Sequence, residues 1–300
     1  MWVDLFQNTI EGMANGSAYA LMALGFTLMF GVVGKLNLAY GAVLMVGVYA
    51  GVYVHLEWQA GWAASAVAVV LGAVVAGIYV ERTCFAPMRH GAAITSMVAS
   101  FAIWMQLEEA ATLVLPRHSY PFPSLVEGTV IHLGPLLLRR DHLVMLAVAL
   151  VVMAALEWLV RGSRFGLGLR AIAENPRAAG FVGRNVERTL FFAFVLASAV
   201  GGVAGWLVAS ADQHVSAMFG MWATFKGLIA AMLGGLGSLR GAVAGGLLLG
   251  VVEAHALWLA GPQIRDLCAY LLLFLLLILR PGGLSGQARI QRDAAAYGRL

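Results

Sequence analysis

The chain reads as an all-α, polytopic bundle of transmembrane helices, about eight to nine spans with short or broken members among them, in a single domain over residues 1–300. Three observations carry this. Charged residues make up 11% of the sequence, against about 25% in an ordinary soluble domain. Hydrophobic residues make up 61%, too many for a water-covered surface all round. The apolar residues also fall into runs of about 20, the length that a helix rising about 1.5 Å per residue needs to cross a hydrocarbon core of about 30 Å.

That ruler places spans near 12–33, 39–55, 62–80, 94–114, 141–160, 189–209, 223–237, 241–259 and 264–280. Many are Gly-rich, as membrane helices are where backbones approach closely. Whether 223–237 crosses or dips in and returns is open at this stage. The N-terminal stretch MWVDLFQNTIEGM has no Lys or Arg, so it lacks the basic start of a cleaved signal peptide. Cys84 and Cys268 lie in or beside apolar runs and are expected as packing residues.

Basic residues orient the spans, because Lys and Arg accumulate on the cytoplasmic side. With the N-terminus outside and nine crossings, 14 of the 19 basic residues fall inside, leaving Arg117, Arg139, Arg140, Lys226 and Arg265 outside. The expected topology is therefore N-terminus out and C-terminus in the cytoplasm. Two loops are long: an outer one at 115–140 with four prolines, expected to hold a short strand or surface helix, and an inner one at 161–188. The polar tail 281–300 is given no function.

Several kinds of chemistry are absent. There is no HExxH zinc motif and no GxxxxGK[ST] phosphate loop, and neither a Ser-His-Asp set nor a carboxylate pair can be argued from spacing. The chain is not expected to be an enzyme, to bind a metal or cofactor, or to meet nucleic acid.

The polar breaks are where function could sit. GVVGKLNLAYGAV at 31–43 sets Lys35, Asn37, Tyr40 and Gly41 between two spans with little room for a loop. Unwound backbone at membrane depth survives only where protein or a wet cavity satisfies it. A broken helix lining a path and a tight basic turn both fit. LGGLGSLRGAVAGG at 233–246, with Gly234, Gly235 and Gly237, fits close packing or an unwound element. YGAV at Tyr40–Val43 and RGAV at Arg240–Val243 hint at an internal repeat, a frequent device around broken helices. Lys226 fits snorkelling to the outer interface or a role at a substrate carboxylate or gate. Among the acids Glu108, Glu109 and Glu253, the last lies deepest and is the one expected to face a wet interior.

The inner loop holds RAIAENPRAAGFVGRNVER. Asn175 is a good N-cap, Pro176 suits the first helical position, and Gly183 can take the left-handed conformation that ends a helix. A helix over 176–182 results, rimmed by Arg170, Arg177 and Arg184, with Ala178, Ala179, Phe181 and Val182 on exposed faces. Binding of anionic membrane lipid would explain the arginines but not a capped helix with an uncovered apolar face.

At these residues the sequence resembles the branched-chain amino acid permease family of bacterial ABC importers. The similar blocks are NGSAYALMALGFTLMFGVVGKLNLAYGAVLMVGVYAG (15–51), LRAIAENPRAAGFVGRNVERTLFFAFVLASAVGGVAGWL (169–207) and FKGLIAAMLGGLGSLRGAVAGGLLLGVVEA (225–254). The resemblance implies a single permease domain in the bacterial inner membrane that moves a branched-chain amino acid or related small solute. Its implied partners are a second related permease, two cytoplasmic ATPase subunits and an extracytoplasmic solute-binding protein. It also implies that the helix carried by Glu174 to Gly183 inserts into a cleft on the ATPase. Where the family commonly has Asn-Phe-Ala-His-Gly-Glu, this chain reads Asn37-Leu38-Ala39-Tyr40-Gly41-Ala42, which leaves urea and short amides open as cargo. The rivals are an ion-coupled secondary transporter using Glu253 or Glu108, and a membrane scaffold that transports nothing.

Overall fold

A computed structural model describes residues 2–59, 61–89, 91–125, 130–133 and 136–285. Eleven α-helices run α1 (Trp2–Val33), α2 (Tyr40–Trp58), α3 (Trp62–Val80), α4 (Ala93–Val114), α5 (Arg140–Gly162), α6 (Arg164–Glu174), α7 (Pro176–Phe181), α8 (Val186–Asp212), α9 (Phe219–Gly234), α10 (Leu239–Ala260) and α11 (Pro262–Leu279). One π turn, Glu81–Phe85, continues α3. Four short strands complete the described residues: β1 (Tyr120–Pro121), β2 (Val130–Leu133), β3 (Leu136–Arg139) and β4 (His214–Val215).

Every expected span is a helix, and seven of the described helices are long and apolar enough to cross a membrane. The other two are α4, interrupted by Gln106, Glu108 and Glu109, and α9. At 16 residues, α9 is about 24 Å long, short of the hydrocarbon core.

The molecule has two ends. At one, Lys35 reaches the 88–91 turn, Arg89 pairs with Glu187, Arg240 pairs with Glu157, and the Leu284 amide donates to the Leu233 carbonyl. α7 lies at this end. At the other, the outer loop pairs with the segment after α8: β1 and β4 are antiparallel, Tyr120 opposite Val215. β2 and β3 form a hairpin there, the strand expected in loop 115–140. Residues 286–300, most of the tail, lie outside the described residues.

Since β4 sits at the hairpin end and α9 finishes against Gly241 at the opposite end, the segment 214–234 runs from one end of the bundle to the other rather than returning, with α9 starting part-way along.

α2 also starts inside the bundle. The Tyr40 hydroxyl donates to the Ala197 carbonyl in the body of α8, and Gly41 lies against Gly220 and Thr224 of α9. A Cβ on Gly41 would come within 2.1 Å of the Gly220 carbonyl oxygen, and one on Gly220 within 3.4 Å of that of Gly41. The two half-buried starts therefore lean on one another. Both are entered the same way: Ala39 (φ −76, ψ −1) and Met218 (φ −69, ψ −5) precede an aromatic–Gly pair.

α1 to α3 and α8 to α10 share an order of elements, long helix, break, helix starting inside, helix, and α1 packs on α10 as α8 packs on α3. Tyr40–Val43 and Arg240–Val243, alike in sequence, do not share this geometry: Tyr40–Gly41 and Phe219–Gly220 open the two inner helices, while Arg240–Val243 lies in the first turn of α10.

The α1–α10 seam has no room for side chains at its glycines. A Cβ on Gly246 would lie 2.3 Å from the Ala20 nitrogen, and one on Gly250 2.3 Å from the Gly12 carbonyl oxygen. Overpacking typically costs about 1–3 kcal/mol, and here the obstacle is backbone. Gly246→Leu should therefore reduce the folded fraction sharply, read as loss of the monodisperse peak in detergent size-exclusion chromatography. Gly61→Leu, in open space, should leave that peak intact.

Candidate functional site

The short helix α7 is built as its sequence dictates. Asn175 Oδ1 accepts from the amides of Arg177 and Ala178, both at 3.0 Å, and Pro176 takes the first turn, where its missing N–H leaves nothing unpaired. At the other end Gly183 is left-handed, φ +80. Its amide donates to the Gly180 carbonyl and that of Arg184 to the Ala179 carbonyl, the paired bonds of a Schellman stop. α6 leads in through its own cap, the Ser163 hydroxyl accepting from the Gly166 amide at 2.9 Å.

α7 shows two faces. Phe181 is 92% and Val182 78% exposed, and Glu174, Arg177 and Ala178 are exposed too. Ala179 corrects the expectation: it is 3% exposed and packs inward, because a six-residue helix lying on the bundle must spend one face anchoring itself.

The first break divides into a basic turn and a buried re-entry. Lys35 is the tight basic turn, its ammonium donating to the carbonyls of Met88, Arg89 and Gly91. Asn37 and Tyr40 lie deeper and are buried. Asn37 Oδ1 accepts from the Ala39 amide at 3.0 Å, turning the chain into α2. At the second break Gly235 (φ +98) and Gly237 (φ +92) make a tight turn. Gly234 packs on Gly241, which supports the close-packing reading.

Lys226 and Glu253 are brought together. Lys226 is 4% exposed, so it does not snorkel; its ammonium donates to Glu253 Oε1 at 2.5 Å and Asp266 Oδ1 at 2.7 Å. Glu253, 2% exposed, accepts at Oε2 from Arg265 Nε at 2.9 Å and from the Tyr19 hydroxyl at 3.0 Å. Arg265 also donates to the Tyr19 oxygen at 2.6 Å. Five polar side chains thus tie α1, α9, α10 and α11. Glu253 does not face water; it is the hub of a network in which each charge has a partner. Tyr19, Arg265 and Asp266 escaped the sequence reading, since their partners lie on other helices, 12 to nearly 250 residues away along the chain.

A second cluster, also missed, sits at the same end as α7. Glu81, in the π turn, is 2% exposed and accepts from Arg89 at 2.6 Å, while Arg89 reaches Glu187 at 3.4 Å. Among the described residues no group of three or more His, Cys, Asp or Glu could hold a metal, and neither cysteine is bonded to another.

Residues 8–279 match the family described as branched-chain amino acid transport system / permease component. The chain is 30% identical over 298 residues to the high-affinity branched-chain amino acid transport system permease protein LivH of Escherichia coli K12, covering 95% of this chain and 97% of that one. It is 29% identical over 299 residues to the corresponding protein BraD of Pseudomonas aeruginosa, with the same coverage. A shorter likeness, 30% over 139 residues and 44% of this chain, reaches the fructose import permease protein FrcC of Rhizobium meliloti. Among solved structures, a chain of PsaBC from Streptococcus pneumoniae, in complex with Fab, superposes with a TM-score of 0.51 over 88% of this chain and 89% of that one; at 12% identity the likeness concerns fold alone. The chain belongs to the family of branched-chain amino acid permease components, multi-pass subunits of the inner membrane that serve ABC importers as transport chains rather than enzymes, with ATP hydrolysis on separate subunits.

Proposed function

We propose that this chain forms one half of the pore of a branched-chain amino acid importer, paired with a second, related permease. It takes cargo from an extracytoplasmic solute-binding protein and is driven by two ATPases that dock on α7. The N-terminus lies outside and the C-terminus in the cytoplasm. The observation that carries the reading is α7 itself: a helix stopped at both ends by its own sequence, anchored by Ala179, with Phe181 and Val182 left uncovered by the described residues. Full-length likeness to LivH and BraD supports the cargo class. Tyr40, which replaces the family's usual His, is spent on a buried bond to α8, so its presence does not argue for a different solute.

Asn37, Tyr40, Gly41, Lys226, Gly234, Gly235 and Glu253 are buried here, and Gly237 sits at the exposed turn. As translocation residues they are hinges and latches of the pathway rather than its standing wall. The secondary-transporter reading needs an acid free to carry a proton, and Glu253 is held between two cations and a hydroxyl.

Replacing Pro176–Arg177–Ala178 with a Gly-Ser tract should abolish leucine uptake in cells while leaving the chain inserted and folded. Uptake at the parental rate would sink the docking claim.

A further inference from the structure

Beside the first turn of the docking helix lies a cavity of about 540 Å³ between α1, the π turn, α6, α7 and the start of α8. It is within the usual size of a small-molecule site. Its walls are aliphatic and aromatic, with Val33, Ile172, Leu190 and Phe194 among them, and it carries charges of both signs.

These charges are not equally available. Lys35 spends its donors on three carbonyls and Arg89 bridges Glu81 and Glu187. Two groups keep capacity. Among the described residues Glu81 Oε2 has no hydrogen bond and one ion-pair neighbour, Arg82 at 3.7 Å, and the buried carboxylate lines the cavity. Arg177 is exposed at the rim, and its guanidinium has no hydrogen bond or ion pair among the described residues. A buried acid, a free rim cation and apolar walls between them match an ammonium, a carboxylate and an aliphatic side chain on one small molecule.

We propose that this cavity is a regulatory site for an aliphatic α-amino acid, reached from the cytoplasm and distinct from the translocation path. Its occupant, held by Glu81 through the ammonium and by Arg177 through the carboxylate, fastens α7 to α3 and α8. It thereby opposes the movement through which the docking helix answers the ATPases. Accumulated cargo on the inner side would slow its own import. The inference rests on the importer reading above.

The test uses the complete importer, both permeases and both ATPases, in lipid nanodiscs without the solute-binding protein. The ATPase rate is measured against L-leucine, glycine, 3-methylbutylamine and 4-methylpentanoate. Leucine should lower the rate at least two-fold, whereas glycine, which lacks the aliphatic chain, and the other two, which each lack one charge, should fail at ten times the concentration. Leu190→Trp, which fills the cavity, should raise the half-inhibitory leucine concentration at least ten-fold. Equal inhibition by all four compounds, or by none, overturns the proposal; so does leucine inhibition unchanged in an active Leu190→Trp importer. Leucine uptake by cells is scored separately. Its absence overturns the cargo reading, whereas normal uptake with no effect in the nanodisc assay overturns only the regulatory site.

Discussion

Glu253→Gln is expected to destabilise the protein by about 3–5 kcal/mol, the usual cost of removing one partner from a buried ion pair. The carboxylate lies between Lys226 and Arg265 and also accepts from Tyr19. Without its charge, the buried Lys226 ammonium and the half-buried Arg265 face each other uncompensated, and only Asp266, largely exposed, remains to offset Lys226. The substitution should lower the unfolding midpoint in detergent and the yield of inserted protein. Adding Lys226→Met removes one stranded cation and should recover at least half of the loss, since replacing both members of a buried pair is often close to neutral. A double variant as unstable as the sum of the single changes would show that the two residues do not act as a pair. The arrangement also serves function: it ties the short helix α9, which begins inside the bundle, to α1, α10 and α11, so any movement of α9 must break or carry the network with it.

Phe181→Asp with Val182→Asp is expected to remove ATPase-driven transport with no loss of fold. Both side chains stand in solvent, at 92% and 78% exposure, so nothing inside the chain depends on them. In an interface, buried aromatic anchors are commonly worth 2 kcal/mol or more each, so the pair should weaken ATPase binding by at least a hundred-fold. Ala179→Asp makes a useful contrast. It should damage the seating of α7 on the bundle and lower thermal stability as well, because that position faces inward.

Much of this was legible in the chain. Span positions follow from lengths of apolar sequence, and the bilayer allows no other spanning structure from such runs than helices whose backbone bonds are internal. α7 was legible because its stop signals are local: an Asn, a Pro and a Gly at fixed spacing decide both ends without reference to anything distant. What escaped was pairing across the bundle. Lys226 resembles any lysine near a span end, and nothing in its neighbourhood announces Glu253 on α10 or Arg265 and Asp266 on α11. Glu81 was likewise hidden, its partner Arg89 looking like an ordinary inner-face arginine. The likeness of the two inner helix starts was hidden: Tyr40–Gly41 and Phe219–Gly220 share only the aromatic–Gly pattern and the backbone entering it, whereas Arg240–Val243 shares letters with Tyr40–Val43 without shared geometry.

The most direct test of the central claim is co-purification in mild detergent from native membranes, comparing the parental chain with the Phe181→Asp, Val182→Asp variant at matched expression. An importer subunit that docks its ATPases through α7 should bring down an ATPase with the parental chain and lose it with the variant, while both elute as folded protein. An ATPase retained at equal stoichiometry by the variant, or absent from both despite crosslinking, would contradict the account.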